Sequence, residues 1–167
     1  MSNLLNICLA CGICCDGTLI GFVELNREEI PRLKEIMEIE AEDDKGFFLQ
    51  PCKKYCDGCT IYSKRPKQCG AFECGLLKSF EQNELDYETA IDIISLVKQK
   101  KSAIEKRLEL LDIELKSESF HFKMAELKNL LQKKTNNKSL TQSHLELIYE
   151  VERLDSLLSE KFNVTLY

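Results

Sequence analysis

Nine cysteines lie within the first 75 residues of this 167-residue chain, and none lies beyond them. A secreted scaffold held together by disulfides usually has an even number of cysteines and an export signal. Residues 1–10 have neither the basic start nor the long apolar stretch of such a signal. In a reducing compartment, thiols stay free unless they hold metal or carry out redox chemistry. The cysteines therefore predict a cytoplasmic chain whose main chemistry is metal ligation by sulfur.

Glycine and proline divide the chain at the same place. All seven Gly and all three Pro fall within residues 1–75, and the following 92 residues contain no Cys, Gly or Pro. Turn-forming residues suit a loop-rich ligand cage, whereas a segment without helix breakers favours helices. We therefore predict a mainly α fold: an irregular cysteine-cluster metal-binding domain with little β structure over residues 1–75, and a helical extension over residues 76–167.

Apolar residues of the second part recur every three or four positions, which is typical of amphipathic helices. The first stripe is interrupted only by Lys101 and consists of Ala90, Ile94, Val97, Ile104, Leu108, Leu111 and Leu115. Two further stripes follow, at Phe120, Met124, Leu127 and Leu131 and at Leu147, Val151, Leu154, Leu158 and Phe162. Residues 135–141 are predicted to form a turn, and Ser143 with Glu146 matches a capping box. The extension is thus predicted to be a long helical hairpin or a small bundle.

The first part contains weaker patterns. Residues 18–25 and 47–49 are predicted to be strands, and Asn26 is predicted to cap a helix that extends to Met37. Glu29 stands in the capping-box position of that helix. Pro31 lies late for an ideal first turn, so we expect the helix to begin after Glu28 or to bend. His121 and His144 lie far from the cysteines in sequence, and we expect them to be surface or helix-end residues.

The first cysteine group has the form C-x2-C-x2-C-C and consists of Cys8, Cys11, Cys14 and Cys15. Two residues between ligands allow the chain to make one turn and to present both sulfurs to one ion. The run resembles that of bacterial ferredoxins, in which three thiolates bind one iron–sulfur cluster, whereas zinc ribbons more often use two separated C-x2-C pairs. The adjacent Cys14 and Cys15 would point apart in extended backbone, so we expect one of them to serve a different centre or role.

The second cysteine group is spread over a loop and consists of Cys52, Cys56, Cys59, Cys69 and Cys74. Neither group alone gives a closed site that uses all its thiols. Nine divides as four, four and one, which suggests two four-thiolate centres that draw ligands from both groups. Thiolates brought together need metal or positive charge to lower their pKa values. Among the nearby basic residues, Arg65 is the best candidate for a structural contact, because its fork can bind carbonyl groups or a thiolate.

The combined pattern carries a family resemblance. The run Cys8-Leu-Ala-Cys11-Gly12-Ile-Cys14-Cys15 is followed by Cys52, by Cys59-Thr-Ile61-Tyr62 with Arg65-Pro66 and Cys69, and then by Phe72 and Cys74. Over about residues 8–75, it resembles the zinc- or iron-chelating cysteine-cluster family called CxxCxxCC, and the combined spacing is more specific than any single C-x2-C. The resemblance implies that metal is held by the eight matching cysteines, which are Cys8, Cys11, Cys14, Cys15, Cys52, Cys59, Cys69 and Cys74.

The same resemblance leaves Cys56 without a counterpart and implies a relationship to flagellin lysine N-methylases, which share the cysteine pattern. Two positions depart from the family: Gly70 stands where Arg is frequent, and Glu73 stands where Pro is frequent. Tyr62 and Phe72 are expected to be apolar packing around the cage, which would shield the sulfurs from water.

Other classes of protein fit the sequence less well. Cys52, Cys56 and Cys59 have the spacing of radical S-adenosylmethionine enzymes, but the helices that follow leave no room for the barrel of those enzymes. A thiol oxidoreductase of the thioredoxin type would need a βαβ context, and the sequence shows none. The net charge of −5 disfavours broad binding to nucleic acid or anionic lipid. No apolar run is long enough to cross a bilayer.

We therefore expect a cytoplasmic metalloprotein that binds an iron–sulfur cluster, with 4Fe–4S as one form, or Zn²⁺. Its function is expected to be redox or accessory protein-modification chemistry. The alternative is a structural zinc module that presents the helical part to a protein partner, and an enzyme related to the lysine methyltransferases is less favoured. The sequence assigns no catalytic residue.

Overall fold

A computed structural model describes residues 2–136 and 140–167. In chain order the elements are α1 (Ser2–Cys11), β1 (Phe22–Asn26), α2 (Ile30–Lys34), β2 (Glu40–Glu42), β3 (Lys45–Leu49), a 3₁₀ turn (Tyr62–Lys64), α3 (Lys67–Ala71), α4 (Gly75–Glu81), α5 (Tyr87–Leu110), α6 (Phe120–Asn136) and α7 (Gln142–Phe162). Helices account for 55% and strands for 9% of the structure, which confirms the mainly α prediction. No helix in the described residues is long and apolar enough to cross a membrane.

The small sheet has the strand order β1-β3-β2, and both pairings are antiparallel. The strands predicted at residues 18–25 and 47–49 are confirmed in part. β1 begins only at Phe22, because the N–H and the hydroxyl of Thr18 both donate to the Asp16 carboxylate and hold the preceding residues in a turn. β2 was not predicted, since all its residues are exposed and carry no apolar alternation.

The helix predicted after the first strand is shorter than expected. Asn26 is not its N-cap but the last residue of β1, and α2 begins four residues later with Pro31 in its first turn, where no N–H is needed. Glu29 does reach back as the capping-box pattern implies. Its carboxylate accepts the Asn26 N–H at 3.1 Å, and it also accepts the Lys67 N–H at 2.7 Å. α2 ends three residues before Met37.

The long helices α5, α6 and α7 follow the predicted apolar stripes. Their buried residues include Ala90, Ile94, Val97, Ile104 and Leu108 on α5, Phe120, Met124, Leu127 and Leu131 on α6, and Leu147, Val151, Leu154, Leu158 and Phe162 on α7. All of them belong to one core, so the extension is a small bundle. α5 begins where the Asp86 carboxylate accepts the Thr89 N–H at 2.8 Å. It ends at Leu110, so Leu111 and Leu115 of the predicted stripe lie beyond the helix.

The predicted capping box of α7 is wrong by two residues. The N-cap is Thr141, and its N–H donates to Nδ1 of His144 at 3.2 Å. The carboxylate of Glu146 instead pairs with Arg107 on α5 at 2.9 Å, so a contact between helices replaces the local one. In the predicted turn over residues 135–141, α6 extends to Asn136, and residues 137–139 lie outside the described part of the chain.

Two apolar cores organise the chain. The larger one, which we call the helical core, joins the three long helices to Ile7, Ile13 and Leu19 from the cysteine-rich part. The smaller one, which we call the sheet core, contains buried residues of β1, α2 and β3 together with Met37. Because the helical core contains residues from both sides of position 75, the two predicted parts share one packed interior. A domain boundary at that position stays a prediction.

Polar contacts also join the helical part to the cysteine-rich part. Lys101, the one polar interruption of the α5 stripe, pairs with the Asp16 carboxylate at 3.0 Å. Both side chains are largely buried, with 15% of Lys101 and 18% of Asp16 exposed. One turn earlier on α5, Lys98 donates to the backbone carbonyl of Ala10 at 3.2 Å. α5 is thereby fixed against the first cysteine group.

Candidate metal centre

The first cysteine group follows the end of a helix into a tight turn. Cys8 and Cys11 lie in the last turn of α1, which the sequence analysis did not predict. Gly12 then adopts a positive φ of 65°, a conformation that favours glycine. A Cβ at this position would overlap the Tyr55 side chain, so the glycine also allows the second cysteine loop to approach. The chain continues through turns that carry Cys14 and Cys15.

The second cysteine group is brought to the first by backbone hydrogen bonds. The N–H of Cys52 donates to the carbonyl of Cys15 at 2.8 Å, which joins the two groups directly. The N–H of Tyr55 donates to the carbonyl of Cys52 at 3.0 Å, and Tyr55 and Cys59 form an isolated antiparallel bridge. The loop from Cys52 to Cys59 is therefore folded back on itself beside the first group.

The last two cysteines are positioned by short helices. Cys69 lies in α3, whose first N–H, that of Lys67, donates to Glu29. Cys74 directly precedes α4. Burial raises the pKa of the Cys74 thiol, and the backbone N–H groups of Leu77 and Leu76 oppose this shift by hydrogen bonding to the sulfur.

All eight cysteines predicted as ligands line one cavity of about 320 Å³. The other lining residues include Tyr62, Arg65, Phe72 and Gln50. Cys56 is the exception, because it is exposed and does not line the cavity. The structure thus brings together the residues that the sequence analysis grouped and separates the one it left over.

All nine cysteines are free thiols, so none is used in a disulfide. Within the described residues, no group of three or more Cys, His, Asp or Glu side chains already has the arrangement of a metal site. Four thiolates around one Zn²⁺ would place their sulfurs about 3.8 Å apart, as follows from a Zn–S distance of about 2.3 Å in a tetrahedron. Ligation therefore requires the thiols on the cavity wall to turn inward around the bound ion or cluster.

Burial gives these thiols a strong preference for the protonated form. It raises the pKa of Cys11, Cys15 and Cys69 to about 12 in each case, and neighbouring thiolates add to the shift. Burial likewise raises the pKa of Cys14, with Cys11 and Cys74 as further causes. Without metal, these four thiols are neutral at neutral pH, and a bound cation would have to displace their protons.

Arg65 makes the structural contact that the sequence analysis predicted for it. Its guanidinium donates to the backbone carbonyl of Tyr62 at 2.9 Å and lies over the Tyr62 ring, 3.9 Å from the ring centroid. Its charge partly offsets the burial that raises the pKa of Cys8 and of Cys69. Arg65 is therefore the positive group of the cavity that acts on thiols from both sequence groups.

Gln50 is a cavity residue that the sequence analysis missed. Its side chain is only 1% exposed, and its Oε1 atom has no hydrogen-bond partner. Burying an acceptor without a donor costs free energy of folding. This oxygen is therefore suited to interact with a further group bound in the cavity. No local signal marks the residue, because a single glutamine at the end of a strand has no pattern.

The two histidines lie at helix ends, as expected. His144 caps α7, and His121 is in the first turn of α6, where its N–H donates to the carbonyl of Gly17 at 2.8 Å. Neither lines the cysteine cavity. The donor set of the cavity is therefore dominated by sulfur, which suits Zn²⁺ and iron–sulfur clusters. The sulfur donors and the unpaired Gln50 oxygen together fit a bound metal.

The comparisons with known proteins agree with this chemistry. The family model CxxCxxCC, described as a putative zinc- or iron-chelating domain, matches residues 7–93. That range covers more than half of the chain and extends from α1 into the first turns of α5, beyond the region of resemblance noted from the cysteines alone. No curated protein and no solved structure matches the chain. The chain therefore belongs to the CxxCxxCC family of zinc- or iron-chelating domains.

Proposed function

We propose that this protein is an iron–sulfur protein of the reducing cytoplasm, in which the eight cavity cysteines hold the iron and which serves redox or accessory protein-modification chemistry. The observation that carries the proposal is the single cavity lined by eight free thiols. Zinc needs four ligands to complete a structural site, whereas eight buried thiolates around a cavity of about 320 Å³ leave room for inorganic sulfide as well as metal.

The walls of the cavity support a redox role. The aromatic side chains of Tyr62 and Phe72 line it together with Leu77, and such apolar walls limit the access of water. Solvent exposure and nearby charge tune the reduction potential of a thiolate-bound cluster, so the Arg65 guanidinium would act on that potential. The chain's own residues thus supply ligands, shielding and a positive charge, and a bound cluster would supply the electron-transfer chemistry.

A second function, a structural zinc module, is favoured by the packing of the cysteines. Cys8, Cys11, Cys14 and Cys74 pack against the helical core, whereas Cys52 and Cys69 pack against the sheet core. A metal held by the thiols of either wall would stabilise the core against which they pack, and ligation free energy would then be folding free energy. In this case the helical part would be presented to a protein partner, for which exposed apolar residues such as Leu110 and Tyr149 are available.

Anaerobic purification followed by metal analysis separates the two functions. An iron–sulfur protein is expected to contain iron together with acid-labile sulfide, and to absorb visible light that bleaches on reduction. A zinc module would be colourless, with zinc as its main metal and no sulfide. The matched control is Cys56→Ser, because Cys56 is exposed and outside the cavity. Folded wild-type protein that retains neither metal, even after anaerobic reconstitution, would refute both functions.

A further inference from the structure

We infer that the eight cavity cysteines form two separate four-thiolate centres, one made by Cys8, Cys11, Cys14 and Cys74 and the other by Cys15, Cys52, Cys59 and Cys69. We call them the helical-side centre and the sheet-side centre. The inference rests on the proposed metal binding and adds to it which thiolates share a centre. Each set contains the four ligands that a tetrahedral zinc site or a 4Fe–4S cluster requires.

Packing against the two cores gives the first line of support. Every member of the helical-side centre packs against the helical core. In contrast, Cys52 and Cys69 pack against the sheet core. No cysteine in the described part of the chain packs against both cores. The cavity therefore has two walls of different origin, and six of its eight cysteines divide between them, whereas Cys15 and Cys59 are placed by backbone contacts.

Backbone contacts divide the cysteines in the same way. Cys8 and Cys11 lie on α1, which contacts α4, and Cys74 directly precedes α4. On the other side, the Cys52 N–H donates to the Cys15 carbonyl at 2.8 Å. The chain then folds back so that Cys59 lies beside Cys52. The Tyr55 N–H donates to the Cys52 carbonyl, and Tyr55 forms an isolated bridge with Cys59.

The thiols that lie near one another agree with the division. Cys52, Cys59 and Cys69 lie close enough to Cys15 to interact with it electrostatically. Cys74 and Cys8 lie equally within reach of Cys11. Among these neighbours, the pair that joins the two sets is Cys14 and Cys15, which are adjacent in sequence.

The division also explains why the sequence contains two adjacent cysteines. Cys14 packs against the helical core, whereas the carbonyl of the next residue, Cys15, accepts the Cys52 N–H on the other side of the cavity, so the adjacent cysteines can serve different centres. Each centre then takes ligands from both sequence groups: three early cysteines with Cys74, and Cys15 with three later ones. In this division, neither sequence group completes a centre without the other. The peptide bond between Cys14 and Cys15 links the two centres directly.

The test uses thiol protection in the wild-type chain, which avoids any effect of substitution on folding. Metal-free protein is titrated anaerobically with Zn²⁺ and alkylated with iodoacetamide at each step, and the labelled cysteines are identified by mass spectrometry. The two-centre assignment predicts that four thiols become protected together and that their membership follows one of the two sets. If the four thiols that become protected together include both Cys14 and Cys15, or both Cys74 and Cys69, the assignment is overturned. If all thiols stay reactive, the proposed metal binding itself fails.

Substitutions provide a second, independent readout with Co²⁺, whose thiolate complexes absorb visible light. The wild type is expected to bind about two equivalents, and Cys14→Ser and Cys15→Ser about one each. Adding Cys74→Ser to Cys14→Ser should remove nothing further, because both residues belong to one centre. Adding Cys69→Ser to Cys14→Ser should abolish binding. Equal losses in the two double variants, with circular dichroism showing that both are folded, would refute the division while leaving metal binding intact.

Discussion

Metal binding to the cysteine cavity is expected to release protons, and the number released follows from the raised pKa values. Burial raises the pKa of Cys11 to about 12, five units above neutral pH, so ionising this thiol at pH 7 costs about 7 kcal/mol at about 1.4 kcal/mol per unit. An ordinary thiol, with a pKa of about 8.5, is also protonated at pH 7. The helical-side centre, whose four thiols all have raised pKa values, should therefore release about four protons when it binds a cation.

The sign of the pH dependence follows directly. A rise in pH lowers the cost of removing each proton, so the apparent affinity for metal must increase with pH. With about four protons released by the helical-side centre, the affinity of that centre for Zn²⁺ should rise about 10⁴-fold between pH 6.5 and pH 7.5. Competition with a chromophoric chelator, corrected for the chelator's own protonation, measures this change.

Calorimetry provides the direct count of protons. Zn²⁺ titrations at pH 7 in two buffers with different enthalpies of protonation yield the number of protons released per ion. Cys56→Ser is the control, since this exposed residue lies outside the cavity and its loss should leave the count unchanged. Release of two protons or fewer per ion by folded protein would refute the argument, because most ligands would then not be buried neutral thiols.

Two further predictions concern the residues that hold the cavity in place. Lys101→Met should lower the free energy of unfolding by about 2 kcal/mol, because it leaves the largely buried Asp16 carboxylate without its cation. In urea unfolding, adding Asp16→Asn to the same chain should recover part of this loss. If the losses of the two substitutions instead add, the pairing is contradicted. Gly12→Ala should cost about 1–3 kcal/mol and weaken Zn²⁺ binding, because it combines positive φ with overlap on Tyr55. In the control Gly70→Ala, the new Cβ would meet only Arg65 at ordinary contact distance, and an equal loss there would contradict the explanation.

The features that the sequence predicted well are those with a strong periodic signal. The apolar stripes of α5, α6 and α7 determine which faces are buried, because no glycine or proline interrupts them. The convergence of the cysteines was predictable because ligand spacing is itself a pattern, and the family resemblance left out Cys56, which does not line the cavity. In both cases the signal is spread over many residues, so no single competing contact can override it.

The features that the sequence did not predict depend on contacts between distant residues. The capping box predicted at Ser143 and Glu146 is replaced by one at Thr141 and His144, because Glu146 pairs with Arg107 on α5. The close approach of Tyr55 to Gly12 and the burial of Gln50 likewise arise only when the second loop lies against the first. Short-range patterns carry no information about such encounters.

The position of the cavity between two apolar cores has a consequence for the cooperativity of unfolding. Ile20 packs against both cores, and the ring of Phe22 on β1 stacks on that of Phe122 on α6 with their centroids 6.2 Å apart. In the two-centre assignment each ion is held at one wall of the cavity, so ligation would stabilise each core separately. Loading one centre should then raise the melting temperature of its own core more than that of the other, and a chelator should reverse the shift.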